Sequence, residues 1–432
     1  MSLDPNDFRS GYVRRVVDAE LDELLPSLPA VLLDGAKGVG KTETAMQRSA
    51  SVRRLDQAVD REIVAADLDG IASAAMPLLL DDWQRLPQIW DSVRRHVDSD
   101  STGGQFLLTG STPTSVPDIE THSGAGRIST IRLRPLTLVE RWGVEPAVSM
   151  RDLIDGSAGT VSGTSSVGLR DYTEEIVRGG FPGMRHLDGR ALRNRLDGYL
   201  DLIVGRELIE AGLRVRRPEI VMGWLRAYAA ATATTTSWEK LRLAANPGHT
   251  PPAVSTTAPY IELLAALRVL DPLPAWFPTR NHLRSLTGAA KHHLADPALA
   301  ARLLNTSTEP LLAGNTSDIP IVRDGPLLGA LFESLVTLSV RVFAQAAEAQ
   351  TFHLRTKGGR HEVDLVVESG RGAVGIEVKL APSVTDEDVV HLLWLREQLG
   401  DDCSDLIVVT TGPEAYRRSD GIAVVPLALL GP

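Results

Sequence analysis

Cysteine is almost absent from this chain of 432 residues, which contains only Cys403. A single cysteine excludes an intrachain disulfide and any structural zinc site built from several cysteines. This fits a protein of the reducing cytoplasm, although a cysteine-poor secreted protein would look the same. The first thirty residues carry Asp4, Asp7 and Asp18 and lack the apolar core of a signal peptide. No stretch approaches the roughly 20 apolar residues of a membrane helix, so we expect no membrane partner.

Positive charge is in the minority, because 45 Lys and Arg residues stand against 55 Asp and Glu residues, for a net charge of −10. A uniformly basic nucleic-acid coat protein is therefore excluded, whereas a local basic patch is not. Residues 213–310 contain eleven basic and six acidic residues, the kind of asymmetry that a DNA-binding module needs. Within them, the helix predicted at 255–268 carries only Glu262 and Arg268 as charged residues, which argues against base readout in the major groove.

Three short apolar runs, each followed by polar residues, predict buried parallel strands at 30–33, 78–80 and 106–108. They alternate with helical segments, so we expect an α/β fold with a parallel sheet over residues 1–170. Residues 171–285 are mostly helical. The order helix, turn, helix, extended stretch at 236–277 predicts a winged helix there, although a plain three-helix bundle fits as well. Residues 286–432 predict a second α/β domain, with strands at 361–367, 373–380 and 406–409.

A glycine-rich segment at residues 35–42 reads GAKGVGKT and matches the phosphate-loop pattern GxxxxGK[ST] between a buried strand and a helix. The predicted binding residues are Gly35, Ala36, Lys37, Gly38, Val39, Gly40, Lys41 and Thr42. Glycines let the backbone turn tightly, so that its N–H groups point into a phosphate, and the helix N-terminus adds a favourable dipole. Lys41 would reach the β- and γ-phosphates and the Thr42 hydroxyl would bind Mg²⁺. The motif predicts a site for ATP and Mg²⁺.

Polar residues after the other two predicted strands complete this site. Asp81 and Asp82 follow the run at 78–80. Asp81 would hold the Mg²⁺ shell, and Asp82 stands where a hydrolytic enzyme has the carboxylate that orients or deprotonates water. Ser111, just beyond the run at 106–108, is a candidate for sensing the γ-phosphate. The order and spacing of the three elements together predict an ATPase.

Seven segments resemble the prokaryotic AAA-type P-loop ATPases whose C-terminal half is a domain of unknown function numbered 4143. In the order of that family they are YVRRVVD (12–18), GAKGVGKT (35–42), LLLDDWQ (78–84), FLLTGS (106–111), LRPLTLVE (133–140), GGFPG (179–183) and KHHLADPAL (291–299). The resemblance covers nearly the whole chain and implies an ATPase core followed by a tail with a restriction-endonuclease-like fold. Two positions depart from the family: Asp82 stands where Glu is usual, and Lys37 where Arg is frequent.

The resemblance also implies an arginine that reaches the γ-phosphate, either in the same chain or from a neighbouring copy in a homo-oligomer. Arg127 is the first candidate, because it follows an acidic, glycine-rich loop and precedes a strand. Arg206 is the second candidate. For both, an ordinary surface arginine is the alternative.

Charged residues on two strands of the tail form the pattern Asp…Glu-x-Lys, which is typical of restriction-endonuclease-like enzymes. Glu377 and Lys379 share one face of their strand, and Asp364 lies on the preceding strand. Asp364 and Glu377 would bind one divalent metal, Mg²⁺ or Mn²⁺, while Lys379 positions a water or stabilises phosphate charge. Glu333, on a predicted helix upstream, would complete the metal shell. The alternative is a sheet whose solvent face is charged by chance.

These residues favour an ATP-driven enzyme that binds or cleaves nucleic acid, with DNA the preferred partner. Two other hypotheses remain open. In one, ATP drives a conformational switch and the tail is a noncatalytic binding domain. In the other, the chain is a DNA-binding regulator that does not cleave.

Overall fold

The structure is a computed structural model, and it describes residues 11–110, 125–210, 213, 217–245, 253–276, 288–314 and 326–432. Ser111 lies outside the described residues, as do the predicted turn at 246–252 and four of the eleven basic residues of the 213–310 segment.

The first sheet has five parallel strands in the order β2-β3-β4-β1-β5. Their bounds are β1 Ala30–Asp34, β2 Ser51–Arg54, β3 Leu78–Asp81, β4 Phe106–Thr109 and β5 Ile128–Arg132. Every residue of β1 and β4 is buried, because a parallel sheet covered on both faces needs continuous apolar strands. The three strands predicted from apolar runs are confirmed as β1, β3 and β4, and the α/β fold with them.

Four helices accompany this sheet: α1 Val17–Leu24, α2 Lys41–Met46, α3 Ala58–Ala66 and α4 Gln88–Ser99. The ten helices of the middle region, up to the last gap in the described residues, are α5 Leu138–Trp142, α6 Met150–Ile154, α7 Leu169–Arg178, α8 Gly189–Leu202, α9 Leu208–Glu210, α10 Pro218–Ala230, α11 Trp238–Ala244, α12 Val254–Ala266, α13 Pro297–Leu303 and α14 Thr308–Leu312. A π-helical turn, Ile203–Glu207, joins α8 to α9.

The second sheet has eight strands in the order β7-β13-β14-β12-β11-β10-β9-β8 and is mixed. Their bounds are β7 Gly163–Thr164, β8 Ala275–Trp276, β9 Gln350–Arg355, β10 Glu362–Ser369, β11 Gly372–Val378, β12 Cys403–Thr410, β13 Glu414–Arg417 and β14 Ala423–Pro426. The predicted tail strands correspond to β10, β11 and β12. Helix α15 (Leu327–Ala346) packs against β9 to β11, and α16 (Val390–Leu399) against β10 to β12.

Helix α15 passes a test for membrane spans on length and composition, with a mean hydropathy of 1.7. This corrects the expectation that no stretch approaches that length. However, 78% of its most apolar window is buried inside the protein. Its apolar residues therefore face other parts of the chain, as in a core helix.

Two short strands of the segment after α5 pair with the tail. Strand β6 (Val148–Ser149) is parallel to β15 (Leu430–Gly431), and β7 is antiparallel to β13. Helix α6 packs against β11 and β12. Residues that we assigned to the first domain thus contribute strands to the tail.

The helices α10, α11 and α12 are followed by an antiparallel pair of bridges, Leu270 with Leu294 and Leu273 with Lys291. Strand β8 then adds to the tail sheet beside β9. Three helices followed by an antiparallel strand pair are compatible with a winged helix, which stays a prediction.

Candidate functional site

The loop between β1 and α2 takes the form that its glycines allow. Gly38 has a φ of 81° and Gly40 a φ of 100°, a left-handed conformation that other residues adopt only with strain. Gly35 is required for space, because an added Cβ would lie 2.2 Å from the carbonyl oxygen of Leu133. The tight loop therefore depends on glycine at these three positions.

Lys41 begins α2 and folds back into the loop. Its Nζ donates to the carbonyl oxygens of Gly35, at 2.7 Å, and Ala36, at 3.0 Å. Burial lowers the pKa of Lys41 to about 8, although the nearby carboxylates of Asp34 and Asp82 oppose this change. A bound phosphate would favour the charged ammonium.

The hydroxyl of Thr42 donates to Oδ1 of Asp81 over 2.8 Å, and the hydroxyl of Thr109 donates to the same oxygen over 2.5 Å. Because β3, β4 and β1 are neighbouring parallel strands, their carboxyl ends bring these groups together. Hydroxyl and carboxylate oxygens are the ligands that Mg²⁺ takes in nucleotide sites. The residues present fit Mg²⁺, which Thr42 and Asp81 would hold. The sequence placed a polar group at the end of this strand and the prediction chose Ser111, whereas the residue in contact with Asp81 is Thr109, two positions earlier.

Asp82 follows β3 with a φ of 54°, so the backbone turns out of the strand at this residue. Its Oδ1 accepts a hydrogen bond from Nε2 of Gln84 over 3.1 Å. Burial raises the pKa of Asp82, and the neighbouring carboxylate of Asp81 raises it further. A carboxylate with a raised pKa is a stronger base towards water.

These groups line a cleft of about 490 Å³. The wall opposite the phosphate loop contains Pro182, Gly183, Glu207 and Glu210. Nζ of Lys37 lies 2.5 Å from Oε1 of Glu207, so an ion pair bridges the cleft.

Arg15 supports the phosphate loop from behind and is buried. Its Nη1 donates to the carbonyl oxygen of Val39 over 2.9 Å, and its Nε donates to Glu140 over 3.0 Å. Glu140 in turn accepts from the backbone of Thr137 at the start of α5. The segment at 12–18 therefore serves the loop by fixing its backbone.

The structure does not bring Arg127 to the cleft of its own chain. Arg127 precedes β5, whose first residue pairs with Ala30 at the start of β1, whereas the phosphate loop follows the end of β1. Its Nε lies 2.7 Å from Oδ1 of Asp98. The expectation of an arginine acting within one chain is corrected for Arg127. Arg206 pairs with Glu210 on the cleft wall at 2.8 Å.

The tail brings the predicted charged residues together. The backbone N–H of Val378 donates to Oδ2 of Asp364 over 3.0 Å, and Nζ of Lys379 lies 3.6 Å from Oε2 of Glu377. Glu377 is buried, and its Oε1 has no hydrogen-bond partner in the part of the chain that the structure describes. Burial raises the pKa of Glu377 well above its usual value, as does the carboxylate of Asp364.

Lys291 occupies the centre of this acidic cluster. Its Nζ lies 2.8 Å from Oε1 of Glu333, 3.0 Å from Oδ1 of Asp364 and 3.5 Å from Oε1 of Glu362. The side chain is only 2% exposed. Burial alone would lower the pKa of Lys291, but the carboxylates outweigh it and raise that pKa.

This arrangement does not fit the predicted metal shell of Asp364, Glu377 and Glu333. Among the described residues, no group of three or more His, Cys, Asp or Glu side chains is arranged to hold a metal ion. A buried ammonium already faces two of the three carboxylates. In the sequence, Lys291 belongs to the basic segment and to the family-like stretch 291–299, but nothing local links it to the carboxylates 42 and 73 residues later.

Lys291 stands at one end of a short segment, 291–296, that reaches back towards the cleft. At the other end, Oδ2 of buried Asp296 accepts from the backbone N–H of Gly180 over 2.7 Å. Pro182 and Gly183, which line the cleft, follow two and three residues later. The segment thus joins the acidic cluster to the cleft wall.

Four of the seven described basic residues of the segment at 213–310 lie in ion pairs. Arg268 pairs with Asp34 at 2.7 Å and Arg302 with Asp197 at 2.5 Å. Arg242 pairs with Glu239, and Lys291 with the acidic cluster. These contacts reduce the charge that the segment presents to a nucleic acid.

Comparison with protein families divides the chain into three parts. Residues 27–141 match a model described as an AAA domain, 169–310 a domain of unknown function (DUF8612) and 328–430 a domain of unknown function (DUF4143). The chain therefore carries an AAA-type P-loop ATPase domain and a DUF4143 tail.

Curated relatives include two uncharacterized proteins, Mb2031c of Mycobacterium bovis and Rv2008c of Mycobacterium tuberculosis. Each is 25% identical over 425 residues, which is 96% of this chain and 83% of the relative. Among solved structures, the Walker-type ATPase PABY2304 of Pyrococcus abyssi is 17% identical, with a TM-score of 0.40, over 68% of this chain and 97% of its own. Cdc6p from Pyrobaculum aerophilum is 14% identical, with a TM-score of 0.24, over 70% of this chain and 97% of its own.

Proposed function

We propose that the cleft binds ATP with Mg²⁺ and hydrolyses it. The observation that carries this proposal is the meeting of Lys41, Thr42 and Asp81 at the carboxyl ends of adjacent parallel strands, with the Thr42 hydroxyl 2.8 Å from the Asp81 carboxylate. A single charged group in a cleft indicates little by itself. Here Lys41 and Thr42 directly follow a glycine-rich loop and begin a helix, and helix N-termini of this kind bind phosphates.

Each residue has one role in this proposal. The N–H groups of residues 35–42 hold the phosphate oxygens, and Lys41 neutralises charge on the β- and γ-phosphates. The bound Mg²⁺ would supply further neutralisation of that charge. Asp82 orients the attacking water and accepts its proton, a role that its raised pKa supports.

Steady-state ATP turnover of Lys41→Ala tests the proposal. Lys240→Ala makes the same chemical change on the exposed side of α11 and serves as the matched control. We expect turnover by the wild type and the control and none by Lys41→Ala. Unchanged turnover in Lys41→Ala would overturn the proposal.

For the tail, we propose a noncatalytic role, so that the protein works as a nucleotide-driven switch in the cytoplasm. The contacts of Lys291 with Glu333 and Asp364 support this hypothesis over metal-dependent cleavage. Segment 291–296 would connect the cleft to the tail in such a switch, because Asp296 binds the loop that lines the cleft. Binding of nucleic acid, DNA in particular, stays a prediction.

A gel assay distinguishes the two tail hypotheses. Linear duplex DNA, single-stranded DNA and RNA are incubated with wild type and Asp364→Ala, in Mg²⁺ or Mn²⁺, with and without ATP. We expect every substrate to stay intact. Cleavage by the wild type that Asp364→Ala abolishes would establish a nuclease instead.

A homo-oligomer also stays a prediction. Arg127 is 42% exposed and lies at the end of the sheet opposite the phosphate loop, so any cleft that it reaches would belong to another copy. An ATP turnover rate per chain that rises with protein concentration in the wild type, but not in Arg127→Ala, would support this assembly.

A further inference from the structure

The acidic cluster of the tail contains the side chains that a two-carboxylate metal site requires, yet its centre is taken by a side chain from another part of the sequence. Lys291 lies 42 residues before Glu333 and 73 residues before Asp364. Its bridge partner Leu273 holds the backbone of Lys291 in place, with reciprocal N–H to carbonyl bonds of 2.9 Å.

We propose that the ammonium of Lys291 is the resident cation of this cluster and closes a divalent-cation site that the carboxylates would otherwise form. This inference rests on the noncatalytic role proposed for the tail and names the physical reason for it.

The ammonium uses the oxygens that a metal would need. It donates to Oδ1 of Asp364 and Oε1 of Glu333, while Oδ2 of Asp364 accepts the backbone N–H of Val378. A divalent ion close to these oxygens would meet a like charge in a site with little water to screen it. Lys291 has to leave before a metal can bind Asp364.

One oxygen atom of the cluster has no hydrogen-bond partner among the described residues. It is Oε1 of Glu377, which is buried, although buried carboxylate oxygens are nearly always bonded. The backbone already places this oxygen beside Asp364 on the adjacent strand. It is the ligand that would turn towards a metal if the ammonium were removed.

The test measures Mn²⁺ binding to the full chain without nucleotide, by electron paramagnetic resonance titration. Lys291→Met removes the charge but keeps the length and packing of the side chain. We expect Lys291→Met to bind one more Mn²⁺ per chain than the wild type. Its affinity for this ion should be on the order of 100-fold or more higher than that of the wild-type tail for Mn²⁺. The ion should be lost again in Lys291→Met combined with Asp364→Asn.

Lys379→Met is the matched control, because it removes the other ammonium of the same cluster, 3.6 Å from Glu377, and leaves Lys291 in place. We expect it to gain no ion. If Lys291→Met folds and binds none, the inference is wrong.

A comparison without any lysine variant covers the case in which Lys291→Met does not fold. Wild type and Asp364→Asn should bind Mn²⁺ equally. If the wild type binds an ion that Asp364→Asn loses, Lys291 does not close the site and the inference is overturned. Because no nucleic acid is present, this result is distinct from the gel assay, which tests cleavage.

Discussion

Nζ of Lys37 lies 2.5 Å from Oε1 of Glu207, so the phosphate loop and the π-helical turn opposite are joined by an ion pair across the nucleotide cleft. Lys37 is 54% exposed, whereas Glu207 is 9% exposed. We expect a γ-phosphate entering the cleft to compete with Glu207 for this ammonium. Nucleotide binding would then release the Glu207 carboxylate from the loop and free the turn that carries it.

Glu207→Gln should tighten nucleotide binding. The amide removes the negative charge that competes with phosphate but keeps the shape of the side chain. Because Lys37 is partly solvated, we expect a modest decrease of about three- to tenfold in the Kd for a nonhydrolysable ATP analogue. Titration calorimetry measures it.

Glu239→Gln is the control for this prediction, since it breaks an exposed ion pair with Arg242 outside the cleft. It should leave the Kd unchanged. An unchanged Kd in Glu207→Gln as well would mean that the ion pair does not compete with phosphate.

Asp82 should control the rate of hydrolysis rather than the binding of nucleotide. Asp82→Asn cannot accept a proton from water, and we expect turnover to fall by about 10²–10⁴-fold with little change in Kd. Asp82→Glu restores the longer carboxylate that related ATPases use and should keep turnover at or above the wild-type rate. Single-turnover ATP hydrolysis separates the two effects, and loss of binding in Asp82→Asn would contradict this role.

The affinity for nucleotide should fall at alkaline pH. Burial lowers the pKa of Lys41 to about 8 in the free protein, and bound phosphate raises it by favouring the charged form. Binding therefore takes up a proton above pH 8, and Kd should rise by up to about tenfold per pH unit from there. Equilibrium titrations from pH 7 to 9.5 measure this slope. A constant Kd over that range would show that Lys41 stays charged in the free loop.

Asp271 should stabilise the junction between the ATPase sheet and the tail. Its side chain is 14% exposed, and its carboxylate lies 2.8 Å from Nε of Arg134 and 3.3 Å from Nη1 of Arg341. Burial alone would raise the pKa of Asp271, but these guanidinium groups lower it. The resulting stabilisation is therefore fully present above pH about 4 and is lost as the pH falls below that value.

Asp271→Asn leaves the guanidinium groups of Arg134 and Arg341, which are only 11% and 15% exposed, without this counter-charge. It should cost up to about 3–5 kcal/mol in the free energy of unfolding at pH 7. Urea denaturation measures the loss. Asp386→Asn, which removes a carboxylate that is 98% exposed beside Arg418, should change stability little. Equal effects of the two substitutions would contradict the contribution of Asp271.

Local patterns predicted the parts of the protein that depend on neighbouring residues. The phosphate loop, the aspartates at and directly after the end of β3, and the tail strands each follow from a few adjacent side chains, because strand burial and glycine turns are set locally. Lys291 escaped prediction because its partners lie on elements 42 and 73 residues away. The prediction that Arg127 acts within its own chain failed for the same reason. Its position at the end of the sheet opposite the phosphate loop follows from the pairing of β5 with β1, which the local sequence does not show.

The pairing of β6 with β15 sets an order for synthesis and folding. The hydroxyl of Ser149 donates to the carbonyl of Pro432, and 283 residues separate them. At about 5–20 residues per second, a ribosome needs roughly 15 to 60 seconds to deliver β15 after β6. The ATPase sheet, whose strands all precede β6, has that interval in which to form. We expect the ATPase sheet of a nascent chain to form before the tail sheet closes, while β6 stays unpaired.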